Sequence, residues 1–170
     1  MLSVFCFDRL AVTVRDLYFV DPDPAPGQEG PERGVRVELR LVEAQPWRGS
    51  IYASQRIVVD TSLLRVDLLE SVERGPGSRD RVHHHPVVTD NEPGERVFDR
   101  ALTGDPVSWL RDRLADPMAL LSAAGVADLP GYQESAAELT HSLPQVVDAV
   151  STSLERVRAG ELALTRTRGT

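Results

Sequence analysis

The hydrophobic pattern of this chain changes its period about halfway along, and this change restricts the fold more than any other feature. Between residues 35 and 41 apolar and charged residues alternate, which is typical of a β-strand with one buried face. Its apolar members are Val35, Val37, Leu39 and Leu41. From Asp105 onwards apolar residues recur every three or four positions, as on one face of a helix. Strands followed by helices predict the α+β class, with an N-terminal antiparallel sheet packed against C-terminal helices.

Several segments before residue 88 carry strand signals, so we expect a sheet of about four to six strands. Leu10 to Val20 predicts one strand. Ile51 to Asp60 and Leu63 to Val72 predict two more, which a turn at residues 60–62 would join as a hairpin. In the last of these strands, alternate residues including Arg65 and Asp67 form a partly polar face that is able to line a cavity.

Helix start and stop signals follow in the second half. Asp105 and Asp116 each precede a proline, which predicts two helix N-termini, and Gly125 suits the end of the second helix. A longer helical pattern runs from Gln133 to Ala159, where Pro144 must either kink the helix or begin a new one.

The chain has no internal repeat and no break between two hydrophobic cores, so we predict a single domain over residues 1–170. Residues 1–88 are expected to be mainly β and residues 96–160 mainly α. The proline-rich segment 21–33 lacks periodicity and predicts a flexible loop. Residues 161–170 are expected to form a frayed tail.

Composition excludes several classes of protein. A net charge of -7 and a pI near 5.1 disfavour a general nucleic-acid footprint. All basic residues are arginine, which excludes Schiff-base catalysis and a phosphate-binding P-loop, and no glycine-rich dinucleotide motif occurs. The single cysteine, Cys6, excludes an intramolecular disulfide and a multi-cysteine zinc site, and its apolar surroundings predict a buried thiol.

The first residues do not resemble a targeting segment. The apolar run from Met1 to Phe7 is too short for a signal peptide and has no basic start, and no membrane-length apolar run occurs. We therefore expect a cytoplasmic protein with no membrane or nucleic-acid partner. A small-molecule ligand and a homodimer both remain open.

A histidine segment at the apparent end of the sheet is the strongest candidate for a functional site. In an extended strand His83 and His85 face the same side, close enough to share one ion, whereas His84 points away. Neutral imidazole binds divalent zinc, iron, nickel, copper or manganese. The carboxylates able to complete such a site are Asp90 and, as weaker candidates, Asp67 and Glu92.

Two other interpretations of this segment stay open. In one, the histidines are structural, and the protein is a non-catalytic interaction or small-ligand-binding protein. In the other, a metal-free pocket binds a small anion or moves a proton, with Arg81, Arg79 and Arg74 as anion-binding residues. If the protein is an enzyme, the metal would act as a Lewis acid or activate water on a small anionic metabolite.

Two resemblances add to this interpretation. The pattern Gly77-x5-His83-x-His85-x4-Asp90 resembles the first metal motif of the cupin barrels, with Asp where that family has Glu. Cupins have further strands with another histidine ligand, whereas this chain turns helical, so the resemblance implies a cupin-like site on a different sheet. The runs Arg81 to Pro86, Arg96 to Arg100 and Asp105 to Leu110 also resemble an uncharacterised protein family of GC-rich bacteria. This resemblance covers residues from about 50 to 125 and gives no activity to carry over.

Overall fold

The computed structural model describes residues 1–160, in which an antiparallel sheet precedes the helices. Each strand pairs with the next one along the chain, so the spatial order follows the sequence order. The strands are β1 (Leu2–Phe7), β2 (Leu10–Val20), β3 (Pro31–Ala44), β4 (Ile57–Ser71) and β5 (His83–His85). A small ribbon follows, formed by β6 (Val88–Thr89) and β7 (Glu92–Pro93). The predicted α+β class is confirmed, while the predicted tail 161–170 lies outside the described residues.

Within residues 1–160, three of the four α-helices begin where the sequence signals place them, and the first was not predicted. They are α1 (Arg100–Gly104), α2 (Pro106–Leu114), α3 (Pro117–Ala123) and α4 (Gln133–Arg158). The Asp105 carboxylate accepts the backbone N–H of Ser108, and the Asp116 carboxylate accepts that of Ala119, so both aspartates cap helix N-termini. The longest helix, α4, continues through Pro144 without a break. Within residues 1–160 no helix is both long and apolar enough to cross a membrane.

The hydrophobic core lies between one face of the sheet and the helices. The inward-facing side chains of β3 and β4 include Val37, Val66 and Leu68, each at most 1% exposed. Leu139 and Val150 of α4 are fully buried in the same cluster. Burial of each such side chain contributes about 1.5–3 kcal/mol to stability. This face therefore accounts for the packing of sheet against helices that the sequence predicts.

The predicted hairpin at residues 60–62 is wrong, because this segment lies inside the single long strand β4. The partner strand β3 continues alongside it, and a β-bulge near Arg40 absorbs the irregular register. The Asp60 carboxylate and the Ser62 backbone have a partner without a turn: Asn91 donates to the Asp60 carboxylate and accepts from the Ser62 N–H, each at 2.9 Å. Residues 45–56 make the connection between the two strands instead.

Two smaller expectations also need correction. Strand β3 begins at Pro31, which pairs with Val20 at the end of β2. The loop therefore spans residues 21–30 rather than 21–33. Cys6 is exposed, not buried. The reason is that β1 is an edge strand, and Cys6 shares its outward face with Leu2 and Val4 while alternate residues turn inward.

Candidate metal centre

The second face of the sheet carries polar side chains where β3, β4 and β5 lie side by side. The strand register places Arg36 directly across from Asp67, Asp67 across from His83, and Arg65 across from His85. Because alternate residues of a strand share a face, all these side chains lie on the side of the sheet away from the helices. Asp67 is only 1% exposed, and His83 and His85 are each 4% exposed.

Asp67, His83 and His85 converge on one point. The Nε2 atoms of His83 and His85 each lie 3.5 Å from Oδ2 of Asp67. One ligand atom from each residue lies within 4.8 Å of the other two. Two ligands held about 2.1 Å from one ion at a tetrahedral angle are about 3.4 Å apart, so this spacing suits a shared ion. We call these three residues the Asp67 cluster.

Backbone carbonyls orient both imidazole rings of the cluster. Nδ1 of His83 lies 2.7 Å from the carbonyl oxygen of Arg81, and Nδ1 of His85 lies 2.7 Å from that of Gly94. A carbonyl oxygen only accepts, so each Nδ1 carries the hydrogen and donates it. In a neutral ring the lone pair then resides on Nε2 and faces Asp67. Metal-binding histidines are commonly oriented in this way.

The charge states of the cluster follow from burial and from its neighbours. Burial lowers the pKa of His83 to about 4, although the Asp67 carboxylate acts in the opposite direction. Burial by itself would raise the pKa of the Asp67 carboxyl. The proximity of His85 and the hydrogen bonds and charge of Arg36 hold that pKa well below its usual range. Near pH 7 the cluster therefore presents an ionised carboxylate and, at His83, a neutral ring.

Arg36 fixes the orientation of the carboxylate. Its Nε donates to Oδ1 of Asp67 at 2.6 Å, and its Nη2 donates to Oδ2 at 3.2 Å. Such a two-point contact defines the plane of a carboxylate as well as its position. Oδ2, the oxygen nearest both histidines, is thereby held towards them.

The third histidine of the segment lies on the opposite face of the sheet. The ring of His84 packs against Trp109 of α2, with ring centroids 5.0 Å apart, and His84 pairs through its backbone with Val97. The sequence prediction that this residue points away from its two neighbours is therefore confirmed. The fourth histidine of the chain, His141, is exposed on α4.

The Asp67 cluster borders a cavity of about 290 Å³. Its wall also includes the apolar residues Phe19 and Leu69 and three arginines, which are Arg36, Arg65 and Arg96. Arg96 joins this wall to the loop 21–30, because it donates to Asp21 at 2.7 Å and to Gln28 at 2.6 Å. The histidines are thus buried within the protein but lie beside a space that a small ligand can occupy.

The carboxylate that the structure brings to the histidines is Asp67, the strand residue. Asp90 and Glu92 are exposed at the turn of the β6–β7 ribbon and are not part of the group that can share an ion. Asp90 adopts a left-handed backbone conformation with φ of 51°, as this tight turn requires. Asp90 and Glu92 are therefore close to the two histidines in sequence but do not join them in space.

The arginines proposed from the sequence have other contacts. Arg81 lies 3.5 Å from carboxylate oxygens of both Glu32 and Asp80 and donates to a backbone carbonyl of the loop 21–30. Arg79 donates to carbonyls at the end of α1. Arg74 is 71% exposed and lies 3.7 Å from Asp80. None of these three lines the cavity.

The sequence analysis places Arg65 on a face able to line a cavity, but it names none of the three arginines that line the cavity as an anion-binding residue. Arg36 and Arg65 occupy the polar positions of β3 and β4, so the alternation already assigns them to the face that carries Asp67. Arg96 follows the β6–β7 ribbon and has no comparable signal in the sequence. The cavity-lining arginines could have been found by asking which residues face each other across neighbouring strands, rather than which residues are close along the chain.

Comparison with protein-family models, curated proteins and solved structures finds no match for this chain. The resemblances to the cupin metal motif and to a bacterial protein family therefore stay predictions. The geometry of the Asp67 cluster is what supports a function.

Proposed function

We propose that this protein binds one divalent transition-metal ion through Asp67, His83 and His85, with further coordination positions open to the cavity. One observation carries the proposal: two Nε2 atoms, on rings whose Nδ1 atoms bond to carbonyls, face the same carboxylate oxygen at 3.5 Å. A cation between them satisfies all three donors. With neither a metal ion nor a proton there, lone pairs and a negative charge would face each other in a buried place, which is unfavourable.

A proton is the simplest competitor of the metal. An Nε2–H on either histidine would also attract Asp67, and the cluster would then be a buried ion pair with a structural role. The 3.5 Å separation is longer than the 2.7–3.2 Å typical of an N–H···O bond, which favours the metal. The decisive test must distinguish a bound ion from a bound proton.

The donor set indicates which metals to test. Two imidazole nitrogens and one carboxylate, with open positions, form the ligand set of non-haem iron(II) sites and of catalytic zinc sites. Calcium and magnesium prefer oxygen ligands. Zinc, iron, nickel and manganese are therefore the ions to compare. A metal bound here would polarise a ligand oxygen or lower the pKa of a bound water.

The test is the metal content and metal affinity of protein purified without a histidine tag. We expect close to one ion per chain by elemental analysis, and saturable one-site binding when metal-free protein is titrated by calorimetry. His83→Gln and His85→Gln should each weaken binding by about 100-fold or more, beyond the usual effect of a residue that only orients a ligand. Circular dichroism would establish that each variant is folded.

A matched control is available within the chain. His141→Gln removes an equivalent side chain from the exposed surface of α4 and should leave the affinity unchanged. If wild-type protein binds none of the four metals, or if the two cluster variants bind as tightly as His141→Gln, the proposal is wrong.

A further inference from the structure

Arg65 borders the cavity and has one buried hydrogen-bond donor, its Nε, that the described residues leave without a partner. Its side chain is 15% exposed, and within residues 1–160 its buried Nε has no hydrogen-bond partner. The carboxylates paired with it are more distant than a hydrogen bond: Oε1 of Glu38 at 3.5 Å and Oδ2 of Asp67 at 3.9 Å. An unmatched guanidinium donor in a buried position calls for an acceptor.

The other charges around the cavity are already matched. Arg36 is bonded to Asp67, and Arg96 is bonded to Asp21 and Gln28. Glu38, the carboxylate nearer to Arg65, also accepts two hydrogen bonds from Arg40, at 2.9 and 3.1 Å. Arg65 therefore differs from Arg36 and Arg96 in lying beside carboxylates while its Nε has no hydrogen-bond partner among the described residues.

The cavity contrasts in sign with the rest of the protein. The chain has a net charge of -7, yet the cavity wall holds three arginines and a single carboxylate. A recess lined by one sign of charge raises the local concentration of ions of the other sign. At about 290 Å³ the space lies at the lower end of the range for small-molecule sites. Both features suit a small anion.

We infer that Arg65 recognises a small oxyanion, a carboxylate or a phosphate, within the cavity beside the Asp67 cluster. The planar guanidinium takes either group through two parallel hydrogen bonds. The inference rests on the proposed function and deepens it, because the anion would occupy the cavity that the open coordination positions of the metal face. It assigns the ligand-binding role to Arg65 in place of Arg81.

The test is calorimetric titration of the protein with inorganic phosphate and, separately, with succinate as the carboxylate probe. Each titration is run on zinc-loaded and on metal-free protein. We expect saturable binding of at least one probe and a loss of about tenfold or more in Arg65→Gln, the size expected for charge-assisted hydrogen bonds. Comparison of the probes identifies which oxyanion is preferred.

Two further variants keep this test decisive. Arg15→Gln removes the same charge from the same sheet face, at an exposed position on β2 that does not line the cavity, and should change binding by less than about twofold. Arg65→Lys keeps the charge but loses the fork of donors, and should bind with intermediate affinity. The folded state of each is checked by circular dichroism.

The outcomes separate this inference from the proposed metal site. Binding that depends on Arg65 in metal-free protein supports the anion site even if no metal binds. If wild-type protein binds neither probe in either state, or if Arg65→Gln binds as well as Arg15→Gln, the inference is overturned. In that case the metal content of the wild-type protein and the affinities of His83→Gln and His85→Gln still test the proposed function independently.

Discussion

The two faces of the sheet are built from the same strands but bury different kinds of side chain. On the helix side, Val66 and Leu68 of β4 are buried among aliphatic side chains. On the other side, the intervening residue Asp67 is equally buried, beside His83 and His85. Aliphatic burial stabilises the fold directly, whereas burial of a charge is costly unless it is paired. Burial on the helix-side face therefore explains stability, whereas burial of charge on the polar face needs a further explanation.

If the two faces have separate roles, substitutions on them should have separable effects. Changes on the helix side should lower the free energy of unfolding and leave metal bound per folded molecule unchanged. Changes in the Asp67 cluster should remove the metal.

The largest expected effect on stability comes from Leu68→Ala. This side chain is 1% exposed on the helix side of β4, so its truncation should lower the free energy of unfolding by about 2–5 kcal/mol. Urea denaturation measures the loss, and elemental analysis of the folded protein should still give the wild-type metal content. Loss of the metal at wild-type stability would reverse the assignment of the two faces.

Metal addition should stabilise the protein through the polar face alone. With free metal at about 100 times its dissociation constant, binding adds about 2.7 kcal/mol and raises the Tm by about 5–10 °C. Differential scanning calorimetry with and without a chelator measures this shift. The shift should persist in Leu68→Ala and disappear in His85→Gln. An equal shift in His85→Gln would mean that the metal binds elsewhere.

Glu70 is a buried charged residue on the mainly aliphatic helix side of β4, so it tests whether buried charge there affects the metal site. It is 3% exposed, bonds to Arg158 of α4 and accepts the Gly77 N–H at 2.9 Å. Because its carboxylate is bonded within the fold, Glu70→Gln should lower the free energy of unfolding by about 1.5–3 kcal/mol without altering metal affinity. Urea denaturation and zinc titration of one sample measure both quantities. A weakened metal site would show that buried charge on the two faces is coupled.

The smallest effect is expected on the outward face far from the cluster. Val4 of the edge strand β1 is 46% exposed. Val4→Thr should change the free energy of unfolding by less than about 0.5 kcal/mol and leave metal binding intact. The same two measurements apply. A larger effect on either would indicate that the outward face has a role beyond its β3–β5 end.

The division of faces was predictable from the sequence because it depends on local periodicity. Alternation along β3 and β4 separates core from polar positions, and the spacing of His83 and His85 places both on one side. The aspartate and proline signals at residues 105 and 116 likewise mark helix starts through contacts within one turn. Such features need no knowledge of how distant segments pair.

Which residues form the Asp67 cluster was harder to predict from the sequence, because the answer depends on the register between strands. Asp67 meets His83 only because β4 and β5 pair antiparallel across the connection at residues 72–82. Asp90 was favoured by its nearness in sequence, but the ribbon turn directs it to solvent. The long strand β4 was divided in two for a related reason, since Asn91 bonds the Asp60 carboxylate and the Ser62 backbone N–H, which the sequence does not reveal.

The most direct test of a metal at the polar face is anomalous diffraction at the zinc absorption edge from crystals of zinc-loaded protein. We expect a single strong peak about 2.0–2.2 Å from Nε2 of His83, Nε2 of His85 and Oδ2 of Asp67. A map with no peak among these three atoms, in crystals grown with excess zinc, would contradict it. The two histidines would then have a structural role against the carboxylate.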